Sequence, residues 1–127
     1  MSRITITRPD DWHVHLRDGE AMRSIVGMSA KQMGRAIIMP NLSPPITNTT
    51  LAKDYYARII DSLPNETSFT PLMVLYLTDN TTKVEILEAN NEPEIYAAKL
   101  YPAGATTNSS NGVTNIRKIY PVLDVMQ

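Results

Sequence analysis

The chain has 127 residues, with 12 basic and 13 acidic side chains, two histidines and no cysteine. That length fits one domain, and a net charge of −1 without a basic stripe argues against a nucleic-acid footprint. Lack of cysteine excludes disulfide frameworks, thiolate metal sites and cysteine nucleophiles, and no apolar run approaches the roughly 20 residues that span a bilayer. The start, Met1-Ser2-Arg3-Ile4-Thr5-Ile6-Thr7, alternates and lacks the apolar stretch of a signal peptide, so the expectation is a soluble, cytoplasmic protein.

In chain order, Ser2 to Thr7 reads as a short amphipathic strand closed by Arg8-Pro9-Asp10. Asp11 to Leu16 is the next strand, and Arg17-Asp18-Gly19 turns into a helix from about Glu20 to Met33, with Gly34 just past its end. Arg35 to Met39 is a continuous apolar run, the pattern of a strand buried on both faces. A loop with Pro44-Pro45 comes after it. Thr49 or Thr50 then caps a helix through Leu63, which Pro64 stops. Thr70 to Leu77 is a third buried strand, Lys83 to Asn90 a short helix, and Ile95 to Leu100 a fourth strand. A stretch of turn formers, Tyr101 to Gly112, leads to a last helix over Asn115–Met126, kinked or restarted at Pro121.

With the leading strand set aside, this is four βα units, and crossover helices between buried strands predict a parallel sheet. Eight such units close a (β/α)₈ barrel of ~250 residues, so the chain reads as the amino-terminal half of one. The final helix carries no closing signal after Val125, which fits a single, truncated domain spanning 1–127.

Both histidines lie in His13-Val14-His15. Two residues apart on a strand, they share a face at a spacing that suits two imidazoles on one metal ion. The same pair also fits an ordinary solvated strand face. Lys99 stands in an otherwise uncharged strand, where desolvation would favour the neutral amine. Such an amine can add carbon dioxide to give a carbamate, an anionic two-oxygen ligand; a lysine snorkelling to the rim is the simpler reading. Arg17, two past His15, suits a carboxylate clamp or a surface turn. Asn41, just after the second strand, can donate to a substrate oxygen or satisfy its own loop. The polar run Ala105 to Ser110 is either a lid bearing hydroxyls or a plain connection.

Three strings, Arg8-Pro9-Asp10-Asp11-Trp12-His13-Val14-His15-Leu16-Arg17-Asp18-Gly19, Met39-Pro40-Asn41 and Lys99-Leu100-Tyr101-Pro102-Ala103, with Thr106-Thr107-Asn108-Ser109, resemble the dihydroorotase family. The similarity is to the monofunctional bacterial type within the amidohydrolases, and it runs in order through the whole chain. The resemblance implies reversible cyclisation of N-carbamoyl-L-aspartate to L-dihydroorotate, in pyrimidine biosynthesis, at a binuclear zinc site. By it, His13 and His15 ligate zinc and carbamylated Lys99 bridges two ions. Arg17 and Asn41 hold the substrate carboxylate, with His15 also against the substrate and Thr106 and Thr107 on a closing loop. The family further needs two histidines and an acid/base aspartate, expected beyond Gln127, so the 127-residue chain alone is expected to be inactive. Its parent is expected to be a homodimer. Two alternatives stand beside this reading: another cyclic amidase, of the hydantoinase or allantoinase kind, and a non-catalytic interaction module.

Overall fold

The computed structural model describes residues 2–127. Strands β1 (Asp11–Val14), β2 (Arg35–Ile38), β3 (Thr70–Leu77) and β4 (Ile95–Leu100) form one parallel sheet in the order β1-β2-β3-β4. Helices α1 (Gly19–Gln32), α2 (Thr49–Asp61) and α3 (Lys83–Asn90) make the crossovers. The fourth unit ends in a 3₁₀ turn (Ile116–Ile119) running into α4 (Tyr120–Val125). This is the expected series of four βα units. In a parallel sheet every strand points the same way, so the segments after Val14, Ile38, Leu77 and Leu100 gather at one end.

Each helix begins where a side chain satisfies its free backbone donors. Asp18 accepts from the Gly19 amide at 2.9 Å for α1. Thr82 and Glu85 form a reciprocal capping box for α3. For α2 the cap is Asn48, whose Oδ1 takes the Leu51 amide at 3.0 Å, and not Thr49 or Thr50 as the sequence suggested. The same helix stops at Asp61, because Leu63 precedes Pro64 and the proline ring disfavours helical geometry there. Pro121 lies in the first turn of α4, where it costs no hydrogen bond, so the last predicted helix divides just before it.

The two faces of β3 serve different layers. Met73, Leu75 and Leu77 pack with Val26, Ala30, Tyr55, Ile59 and Ile119 in the core between sheet and helices. Leu72, Val74 and Tyr76 alternate with them on the opposite face and are also buried. β3 is thereby the spine of the fold.

The leading strand is not formed. Ser2–Thr7 takes no place in the sheet, and Ile4 and Ile6 are 86% and 77% exposed. Alternation makes a strand only where a neighbouring strand supplies a ladder, and β1 pairs with β2 alone. The residues from Arg8 onward are well anchored. The Arg8 guanidinium reaches the Ser68 and Ala30 carbonyls, Gly34 N donates to Pro9 O at 2.8 Å, and Asp10 pairs with Arg35. The hydrogen bonds from the Arg35 guanidinium hold the Asp10 carboxyl below its usual pKa.

β1 and β4 are edges, and their outward aromatic residues show it. Trp12 is 70% exposed and Tyr96 58% exposed. The accessible surface, 7873 Å², exceeds the roughly 6,800 Å² that mass scaling gives for a closed monomer of this size. The exposed Ser2–Thr7 segment and the open margins of β1 and β4 account for such an excess.

Candidate active site

β1 ends at Val14, after a register shift against β2, so His15 lies just past the strand and not within it. The pair converges nonetheless: Nε2 of His13 and Nε2 of His15 are 3.1 Å apart, with ring centroids at 5.0 Å. A single ion bonded to both at about 2.0–2.1 Å would subtend an N–metal–N angle of about 100°, near the tetrahedral value. The two imidazoles therefore fit one metal ion as they stand. Desolvation lowers the His15 pKa first, followed by the positive charges of Arg17, His13 and Lys99, against the nearby Asn41 side-chain oxygen, which favours a protonated ring. All but the last favour neutral imidazole, the form that binds metal.

Arg17 arrives by a different route from the one its spacing implied. The strand has stopped before it, and Arg17 adopts φ 64°, a left-handed conformation that an L-residue keeps only when its surroundings impose it. The constraint comes from α2. Tyr55, fully buried, donates from its hydroxyl to Arg17 O at 2.6 Å. Burial raises the Tyr55 pKa, so the hydroxyl stays protonated and can donate. Arg58, one turn on, stacks over the Tyr55 ring and binds both oxygens of Asp18 at 3.1 and 2.9 Å. Burial would raise the Asp18 pKa, but the bonds from Arg58 and Gly19 N outweigh it and leave it lowered. The turn carrying Arg17 is thus clamped by three side chains. Tyr55→Phe leaves the partly buried Arg17 carbonyl without its donor, and the expected cost is about 1–2 kcal/mol. Urea unfolding checks this: the midpoint should fall with an unchanged slope.

Asn41 is buried. Its Nδ2 donates to Thr107 O at 2.9 Å, so it satisfies a loop after all, but the loop that follows β4 and not its own. Lys99 stands on β4 in register with Tyr76, its ammonium 5.6 Å from the centre of the Tyr101 ring. Tyr101 stacks on Tyr76, with ring centroids 5.0 Å apart. Thr106 and Thr107 are exposed and meet the rest of the chain through their backbones: Thr106 N and O both bond the buried Ser109 hydroxyl, at 2.8 and 2.6 Å.

Four polar atoms in this region are buried with no hydrogen-bond partner among the described residues: His15 Nδ1, Arg17 Nη1, Asn41 Oδ1 and Tyr101 Oη. A native fold leaves few such groups, and each asks for an explanation. Four at the same end of one sheet describe a place prepared for a polar ligand. Among the described residues no three of His, Cys, Asp and Glu gather as a metal cluster, so the donors here are two imidazoles and a lysine.

Sequence reasoning missed Tyr55, Arg58, Tyr76, Tyr101 and Asn108. Tyr101 carried a signal, standing two past Lys99 on the same face. Tyr55 did not: on its helix it is one apolar stripe position among several, and its partner is a carbonyl 38 residues away.

No family model matches the chain. It is 59% identical over 124 residues to a dihydroorotase of Delftia acidovorans, and 59% identical over 127 residues to one of Shewanella loihica. These alignments cover 98% and 100% of the chain, but the chain spans 36% of the length of each relative. In structure it is similar to dihydroorotase of Campylobacter jejuni, with a TM-score of 0.84 and 40% identity over 94% of this chain and 35% of that one. A Saccharomyces cerevisiae dihydroorotase solved in complex with 5-fluoroorotic acid gives a TM-score of 0.84 and 35% identity, over 93% of this chain and 32% of that one.

Proposed function

The chain has the sequence and the fold of the amino-terminal part of dihydroorotases, and from this we propose that it supplies the carboxylate-binding and first metal-binding half of such a site. The observation that carries the reading is the buried, unpartnered set of His15 Nδ1, Arg17 Nη1 and Asn41 Oδ1 beside an imidazole pair spaced for one ion. In this proposal His13 and His15 would hold a zinc ion, and Lys99, once carbamylated, would be an oxygen ligand shared between that ion and a second. Bound metal supplies Lewis-acid polarisation of an amide carbonyl and acidifies water.

The chain's own residues do the rest of the positioning. The Arg17 guanidinium, aimed by Tyr55 and the Asp18–Arg58 pair, takes the carboxylate of dihydroorotate or N-carbamoyl-aspartate by paired charged hydrogen bonds. Asn41 has a second Nδ2 hydrogen for the same anion. Thr106 and Thr107 sit on the loop that covers this end of the sheet and screens it from water. The proton shuttle and the second metal's ligands come from polypeptide beyond these residues. A cytoplasmic place in pyrimidine synthesis and a homodimeric parent belong to the same proposal.

The test is turnover of L-dihydroorotate by the complete protein that carries this chain, set against hydantoin and allantoin, which lack the carboxylate. Arg17→Ala should lower kcat/KM for dihydroorotate by about 100-fold or more, two charged hydrogen bonds being lost. Faster turnover of hydantoin or allantoin, untouched by Arg17→Ala, would instead establish a different cyclic amidase. The 127-residue chain alone should turn over none of the three.

A further inference from the structure

Two tyrosines stack where β3 and β4 end, and only one of them uses its hydroxyl within the fold. Tyr76 and Tyr101 are both buried, with ring centroids 5.0 Å apart and planes 21° from parallel. Tyr76 Oη donates to Asn108 O at 3.2 Å. Tyr101 Oη is buried and has no partner among the described residues. A phenylalanine would fill the same volume and stack as well without burying a polar atom, so packing alone does not call for a tyrosine at 101.

The Tyr101 ring also meets Lys99. That lysine stands in register with Tyr76 across β3 and β4, and its ammonium lies 5.6 Å from the Tyr101 ring centre, within range of cation–π attraction. No ion pair among the described residues includes Lys99, so an aromatic face and not a carboxylate receives its charge. An ammonium has hydrogens to give and no lone pair, so it cannot take the hydrogen of the Tyr101 hydroxyl. An oxygen acceptor carried by Lys99 itself can. We propose that Tyr101 is a positioning residue for Lys99: its ring, braced by Tyr76, seats the lysine side chain, and its hydroxyl donates to an oxygen of the carbamate formed there. The carbamate rests on the function proposed above; the seat does not. In forming it, the neutral Nζ gives its lone pair to the carbon of dissolved carbon dioxide, one C=O pair moves onto oxygen, and the nitrogen releases a proton to water. The product is anionic, which makes the hydroxyl a charge-assisted donor to it.

Two measurements on the complete protein separate ring from hydroxyl. With lysine labelled by carbon-13 at Cε and bicarbonate withheld, the Lys99 methylene protons should resonate upfield of an ordinary lysine, because they lie over an aromatic face; Lys99→Arg assigns the signal. Tyr101→Phe should keep that shift and Tyr101→Leu should abolish it. An ordinary position in wild-type protein, or one unmoved in Tyr101→Leu, overturns the seat. Titration with carbon-13 bicarbonate then reads the carbamate carbon. Half-occupancy should need about tenfold more bicarbonate in Tyr101→Phe, one charged hydrogen bond being lost. Tyr76→Phe, which deletes the other hydroxyl of the stack and keeps its ring, should titrate like wild type. Equal titration of Tyr101→Phe and wild type overturns donation by the hydroxyl. Wild-type protein that gains no carbamate at any bicarbonate concentration overturns the part given to Lys99 in the proposed function, and the donation with it; the resonance comparison still decides the seat.

Discussion

On the function proposed above, His13→Ala or His15→Ala is expected to abolish binding of the metal ion proposed at the end of β1 in the complete protein and to lower kcat/KM by about 1,000-fold or more, the loss of several kcal/mol of Lewis-acid stabilisation. The reason is geometric. With the two Nε2 atoms 3.1 Å apart, each imidazole would contribute one of a pair of bonds to a single ion, and among the described residues no group of three His, Cys, Asp or Glu side chains stands ready to hold that ion instead. Elemental analysis of the purified variants gives metal per chain, and steady-state kinetics gives the rate. Full metal content with full activity in either variant would remove the imidazole pair from the site. His13→Gln is the milder test of folding, since His13 is exposed and its ring leaves little core behind.

Gly112→Ala carries the largest expected effect on stability outside the core. A Cβ at this position would overlap Tyr101 O and stand 3.0 Å from Ser109 O, both rigid backbone atoms. The chain must move, and moving it breaks the bonds from Val113 N to Tyr101 O, from Ala103 N to Val113 O and from Gly112 N to Ser109 O. Three backbone hydrogen bonds of about 1 kcal/mol each set the expected loss at about 3 kcal/mol. Denaturant unfolding measures it. Gly104→Ala is the comparison: Gly104 has φ 74° but open space around its Cβ direction, so it should lose only the smaller cost of a strained backbone. A Gly112 variant as stable as wild type would show that the loop is not closed on Tyr101.

Much of the fold is legible in the sequence because its signals are local. β3, α3 and β4 stand at their predicted bounds, since continuous apolar runs, a capping box and flanking turn residues each speak within a few positions. Ser2–Thr7 fails for the complementary reason: its alternation is local, but a strand needs a partner that local pattern does not supply. The site divides the same way. The imidazole pair, Lys99 and Asn41 stand out from spacing and strand ends alone. The conformation of Arg17 does not, because Tyr55, Asp18 and Arg58 fix it from other elements through contacts across the fold. Nor does the role of the loop: its threonines look like the functional groups, whereas its carbonyls and Asn108 make the bonds to β2 and β3.

In this sheet the order in space repeats the order in sequence, β1-β2-β3-β4. Each strand can therefore pair with the one made just before it as the chain leaves the ribosome, with its crossover helix already in place. Assembly becomes vectorial: the sheet grows at a single margin, and no strand must be inserted between two others. β1, placed first, keeps its free margin throughout, with the Asp11–Val14 backbone and the Trp12 ring held open at the far side of the growing sheet. Until something covers that margin, it is the part of a nascent chain most exposed to mispairing.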